Sequence, residues 1–208
     1  MSRRDHILCE ELKDRFRGFL PVVVDIETAG IDPQKNALLE MCIVLVELDE
    51  QGFFVRGSTY FEHILPFEGA ELDKKSLEFI QVDPFQPLRF AIEEKQALEN
   101  LFAPVNKALK KTQCQRAVLV GHNAWFDLLF IKEAAKRTGI TSPFHAFTCF
   151  DTATLAGFIY GQTVLAKAAH AAGIDFDTKE AHSAIYDAEK TADLFCAMVN
   201  TWRKMHSS

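Results

Sequence analysis

The run Pro21-Val-Val-Val-Asp-Ile-Glu27, followed by Thr28-Ala29-Gly30, constrains this chain more than any other feature. Consecutive β-branched residues behind a proline read as a central strand, and Thr-Ala-Gly as the turn that ends it. Leu38 to Leu48 is a second apolar run, Asp49-Glu50-Gln51-Gly52 a turn, and Phe53 to Phe61 a third strand, which together predict an antiparallel meander. Glu71 to Phe79 suits a short helix. Pro84 and Pro87 then interrupt the chain, and Ala91 to Lys111 reads as a long helix. Ala117-Val-Leu-Val-Gly121 is a buried strand. The helix after it takes Asn123 as its N-cap and carries Phe126, Phe130, Ile131 and Ala134 on one stripe. A short strand (Ala146 to Phe150), helices at Asp151 to Tyr160 and at Val164 to Ala172 closed by Gly173, and a last helix from Ser183 to near Met205 complete the order. This order predicts an α/β chain with a mixed sheet flanked by helices. Ligands of such sheets sit at the carboxyl ends of strands, where Asp25 and Glu27 fall.

With 208 residues, 48% of them hydrophobic, the chain suits one domain over residues 1–208, its core running from about residue 18 to 203. No linker composition or internal repeat marks a boundary. The amino terminus is charged and lacks an apolar signal core, and no apolar run nears the roughly 20 residues of a membrane span. The expectation is a cytoplasmic protein with no membrane partner. Cys9, Cys42, Cys114, Cys149 and Cys196 are odd in number, scattered, and form no C-x-x-C pair, so buried thiols fit better than disulfides or a thiolate zinc site. The net charge of −6 alone argues against a nucleic-acid partner. The basic residues are nevertheless grouped: Arg3, Arg4, Lys13, Arg15 and Arg17 near the start, and Lys107, Lys110, Lys111 and Arg116 later. Either group by itself also suits a solvated helix face.

The acids carry the chemistry. Asp25 and Glu27 are two apart, so on a strand they share a face. Two carboxylates ending an apolar strand are penalised unless water or a cation reaches them, and hard divalent cations are their natural partners. Asp127 stands among Phe126, Leu128, Leu129 and Phe130, at the polar margin of its helix or against a bound group. His182 and Asp187 are five apart, which in continuous helix would put them on different faces. With Ser183 as cap, His182 lies before the helix and Asp187 in its first turns.

Together, Asp25-Ile-Glu27-Thr28, His122-Asn-Ala-Trp-Phe126-Asp127 and His182-Ser-Ala-Ile-Tyr-Asp187 resemble, in order and spacing, the three motifs of the histidine-containing branch of the DEDD exonucleases. Arg15-Phe-Arg-Gly-Phe-Leu-Pro21, Gly157, Gly161-Gln-Thr-Val-Leu165, Ala172-Gly-Ile-Asp-Phe-Asp177 and Ala181-His-Ser-Ala184 are similar to the ribonuclease T family, over nearly the whole chain from Leu12 to Trp202. That resemblance implies a ribonuclease H-like fold and a 3′→5′ exoribonuclease. Such an enzyme trims tRNA and other stable RNAs, releases nucleoside 5′-monophosphates and also takes single-stranded DNA. It implies two magnesium ions, with manganese as a substitute, on Asp25, Glu27, Asp127 and Asp187, and His182 as the base that deprotonates water. It implies stacking of terminal bases on Phe79, Phe126 and Phe147. It further implies a homodimer in which Arg15, Arg17, Lys110 and Arg116 of one subunit lead RNA to the other's acids. The chain departs from the family at Ile31, where a stacking phenylalanine is usual, and at Lys75, where a glutamate contacts the terminal base. Both positions bear on the family's reluctance at terminal cytosines. The alternatives are a DNA-proofreading exonuclease subunit, an oligoribonuclease, and a non-catalytic RNA-binding module. The presence of all four acids and the histidine weighs against the last.

Overall fold

The computed structural model describes residues 12–181 and 183–206, with side chains to residue 202. Its centre is β1 (Phe19–Thr28), in which Val22, Val23 and Val24 are wholly buried. β1 pairs antiparallel with β2 (Leu38–Leu48), and β2 antiparallel with β3 (Phe54–His63), which is the expected meander. On its other side β1 runs parallel to β4 (Arg116–Gly121), and β4 parallel to β5 (Phe144–Asp151). The five-stranded order is β3-β2-β1-β4-β5, a mixed sheet of the ribonuclease H-like kind.

Helical residues 12–15 precede it, and it is flanked by α1 (Lys74–Ile80), α2 (Glu94–Thr112), α3 (Trp125–Thr138), α4 (Thr152–Tyr160), α5 (Leu165–Ala171) and α6 (Ala184–His206). A 3₁₀ turn spans Pro87–Arg89. α6 lies across β1, β2 and β3. Its inner stripe is Ala184, Ala188, Ala192, Phe195 and Val199, at helical spacing. The three alanines, each fully buried, let the helix approach the sheet closely just where Asp187 projects. α2 packs Leu98, Leu101, Phe102 and Val105 into the same core.

The start of α3 differs from expectation. Asn123 does not cap it. Asn123 has φ +67°, and Ala124 occupies the cap position without a side-chain bond. The reason lies at Gly121, where a Cβ would stand 3.1 Å from the Ala124 Cα and 3.3 Å from the Val24 carbonyl oxygen. The chain doubles back so tightly after β4 that residue 123 must enter the left-handed region, which asparagine tolerates. Its amide then donates to Asp151 Oδ1 (2.8 Å) at the end of β5. No helix of the described residues is long and apolar enough to cross a membrane.

Candidate active site

The parallel strands β1, β4 and β5 all end on one side of the sheet, and the acids gather there. Asp25 and Glu27 project from one face of β1, as their spacing requires. The Ser183 carbonyl accepts the Asp187 amide (2.9 Å), so Asp187 sits in the first turn of α6, above that face. Carboxylate oxygens of Asp25, Glu27 and Asp187 all lie within 4.8 Å of one another. Asp127 completes the group from the first turn of α3, where it is 4% exposed. Its carboxylate takes backbone hydrogen bonds from Ile26 and from its own amide. His182 lies outside the described residues.

Crowding shows in the protonation of the acids. Burial, and then the charges of Asp127, Glu27, Asp187 and Glu40, raise Asp25 well above the ordinary carboxylate range. Burial, then Glu40, Asp187 and Asp127, push Glu27 up to about 8. Burial pushes Asp127 to about 8 against its two backbone hydrogen bonds, with Asp151 adding repulsion. Such a group holds protons unless a cation replaces them. The donors are all carboxylate oxygens, the set that hard divalent cations prefer. The residues present therefore fit a divalent-metal centre.

A cross-strand row supports these acids. Glu40 of β2 pairs with Glu27 of β1 on one side and with His63 of β3 on the other. His63 Nδ1 lies 3.1 Å from Glu40 Oε1, and Arg89 Nη2 donates to the Leu39 carbonyl (3.0 Å) and to Glu40 (3.4 Å). Arg89 thus offsets the one acid of the row that has no place in the cluster. Sequence reading missed Glu40, His63 and Arg89. The available signal was a glutamate inside the apolar run of β2, which a buried strand tolerates only with a partner.

The aromatic and basic expectations separate. Phe79 and Phe147 are exposed. Phe147 stands out where β5 bulges away from β4, its ring edge-on to His145 at 4.5 Å. Phe126 is half-buried, packed on Phe130 at 5.0 Å. Ile31 is exposed in the turn after β1, and Lys75 is exposed on α1. The basic residues are not beside the acids. Arg116 pairs with Phe19 at the opposite end of the strands, Gln115 donates to the Gly18 carbonyl (2.7 Å), and Arg17 lies one residue before Gly18. Lys110 is in the last turn of α2, which leads into β4. Arg15 is half-buried, its guanidinium 4.7 Å from the Trp202 ring and 5.5 Å from the rings of Phe16 and Phe54.

Solved structures share this architecture. The nuclease domain of 3′hExo, a DEDDh family member bound to rAMP, superposes with a TM-score of 0.65 at 17% identity, covering 87% of this chain and 92% of that one. Exonuclease I of E. coli, in complex with a dT13 oligonucleotide, gives 0.64 at 14% identity, over 91% of this chain and 43% of its own. These likenesses show the fold, which is that of the DEDD-type exonucleases. The ribonuclease T exonuclease model matches residues 22–195. Ribonuclease T of Marinobacter nauticus is 56% identical over 195 residues, 93% of this chain and 88% of that protein, and that of Vibrio parahaemolyticus is 53% identical over 196 residues, 93% and 92%. The chain belongs to the ribonuclease T family, as a 3′→5′ exoribonuclease.

Proposed function

We propose that this enzyme is a single-domain, cytoplasmic homodimer that trims the 3′ ends of tRNA and other structured RNAs with short single-stranded ends, releasing nucleoside 5′-monophosphates. The observation that carries the reading is the convergence of Asp25, Glu27 and Asp187 within 4.8 Å beside buried Asp127, at the carboxyl end of β1. These four acids would hold two magnesium ions, with manganese as a substitute. When bound, the pair supplies charge stabilisation to the attacking and leaving oxygens of an in-line phosphodiester displacement.

The residues of the chain do the rest. Asp25 and Glu27 are fixed by the strand and Asp187 by a helix packed through alanines, so the donors need little rearrangement. His182, two residues ahead of α6 in sequence, takes the proton of the attacking water, a role that suits an imidazole near neutral pH. Phe79, Phe126 and Phe147 stack on the terminal bases, a contact that tolerates any base. Roughly 26 Å of strand separates Phe19, at the basic end, from Glu27. That distance supports a dimer in which Arg15, Arg17, Lys110 and Arg116 serve the partner's acids.

The test is incubation of tRNA-like RNA, labelled at its 3′ or 5′ end, with and without magnesium. The 3′ label should leave at once as mononucleotide while the 5′ label shortens stepwise, and only with the cation. Internal cleavage, or full activity in excess chelator, would overturn the reading. A DNA strand of the same sequence measures substrate breadth, and light scattering that finds only monomer would remove the dimer.

A further inference from the structure

We propose that Phe85, Leu88 and Phe90 form a stacking ridge that holds unpaired bases of the RNA upstream of the terminal nucleotides. The inference rests on the exoribonuclease reading and extends its substrate track beyond Phe79, Phe126 and Phe147.

The segment carrying these residues is inside out. Its charged residue points in: Arg89 is 11% exposed and bonds to the Leu39 carbonyl and to Glu40. Its apolar residues point out: Phe85, Leu88 and Phe90 are 65%, 75% and 81% exposed. Folding alone does not favour that pattern, since burying the rings and hydrating the guanidinium would be better on both counts.

The ridge is also pre-built. Asp83 Oδ1 accepts the Phe85 amide (3.0 Å), Gln86 Oε1 the Leu88 amide (2.6 Å), and the Pro84 carbonyl the Arg89 guanidinium (3.2 Å). Phe90 is held at φ +51°, a region that bulky side chains rarely occupy. Strain of this sort persists where surrounding structure enforces it, and it gathers at working surfaces. Here the enforcement is the Phe90 amide donating to the Pro87 carbonyl (3.2 Å), together with the Arg89 anchor.

Position chooses the occupant. Arg89 is tied to Glu40, and Glu40 is the strand partner of Glu27. The next residues run beside the end of β3, with Ile92 donating to the His63 carbonyl (2.9 Å). The ridge therefore stands at the same end of the sheet as the acids, on the β3 side of Glu27. Arg17, Lys110 and Arg116 are at the other end, and of the lysines near the end of β1 Lys35 and Lys74 are paired with Asp32 and Glu78, so contacts that do not depend on cations add to binding on this side. Flat exposed rings offer them, because every base has a face to stack on.

The test compares the wild type with a Phe85→Ser, Phe90→Asn double variant. Both sites are exposed, and asparagine accepts a positive φ. Binding of a labelled dinucleotide and of an oligoadenylate of roughly 12 nucleotides is measured in calcium over a range of salt, and dinucleotide hydrolysis in magnesium. The long strand should bind at least about tenfold more weakly, by the same factor at every salt concentration, since no phosphate contact is lost. Dinucleotide binding and hydrolysis should stay as in the wild type. Unchanged affinity for the long strand would overturn the ridge. So would an equal loss for the dinucleotide, which would place the effect in the acid site. A change in the protein's association state with RNA affinity intact would assign the rings to a protein contact and also overturn it. Failure of the wild type itself to degrade either RNA would instead remove the function proposed above.

Discussion

Replacing Glu27 by glutamine should abolish activity and yet stabilise the metal-free protein. Glu27 is 9% exposed, and burial with the charges of Glu40, Asp187 and Asp127 lifts its pKa from 4.5 to about 8. An acid whose folded pKa exceeds its unfolded one binds more protons folded than unfolded between those two values. Its contribution to stability is therefore lost as pH rises through that window. At about 1.4 kcal/mol per pKa unit, the ionisable carboxyl costs the fold about 4 kcal/mol near pH 8 and under about 1 kcal/mol near pH 5. Glutamine mimics the protonated acid, so it should recover about those amounts. Thermal unfolding in excess chelator is the assay. For a chain of this length the variant should melt roughly 8–16 °C higher near pH 8, and only a few degrees higher near pH 5. Added magnesium should then stabilise the wild type and not the variant. An equal gain at both pH values, or none at either, would refute the argument that burial, together with repulsion from the neighbouring acids, strains the metal-free site.

Gly121→Ala should cost about 1–3 kcal/mol by urea denaturation and reduce turnover, because its Cβ would press on the Ala124 backbone 3.1 Å away and displace the turn that carries Asp127; a neutral result would show that the turn has slack. Arg89→Met should destabilise the protein by roughly 3 kcal/mol by leaving buried Glu40 without its guanidinium, and Glu40→Gln in the same chain should restore part of the loss, as a thermal-melt double-mutant cycle would reveal. Arg17→Asn with Arg116→Gln should flatten the dependence of RNA affinity on salt by about one to two units of log–log slope while leaving metal binding intact; an unchanged slope would take both residues out of the RNA path.

What could be read from the sequence was what local spacing decides. The β-branched run gave β1, the period of two put Asp25 and Glu27 on one face, and the place of Asp187 four residues after Ser183 put it in the first turn of the last helix. All three depend on neighbours along the chain. What could not be read depends on contacts across it. Asn123 carries an N-cap signal, and the close approach of Gly121 to Val24 overrode it. Glu40 is silent until strand register sets it between Glu27 and His63 and a residue 49 positions away supplies Arg89. The ridge at Phe85, Leu88 and Phe90 reads in sequence as a proline-interrupted connection, because only the folded turn shows which side chains face out.

The distribution of charge shows how a chain of net −6 can bind a polyanion. The acids lie at the carboxyl ends of the parallel strands, and Arg17, Arg116 and Lys110 about their amino ends. Without cations the acid end repels phosphate, so its affinity for RNA is set by how far metal reverses the local sign. The basic end attracts phosphate whether metal is present or not. Within one subunit the two ends are separated by the length of β1, so a short strand cannot use both. In the dimer proposed above, one subunit's basic end would reach the other's acids, so that steering and chemistry act on the same 3′ end. Dilution to monomer should therefore weaken RNA binding more than it weakens hydrolysis of a dinucleotide, which needs no steering beyond the acid site.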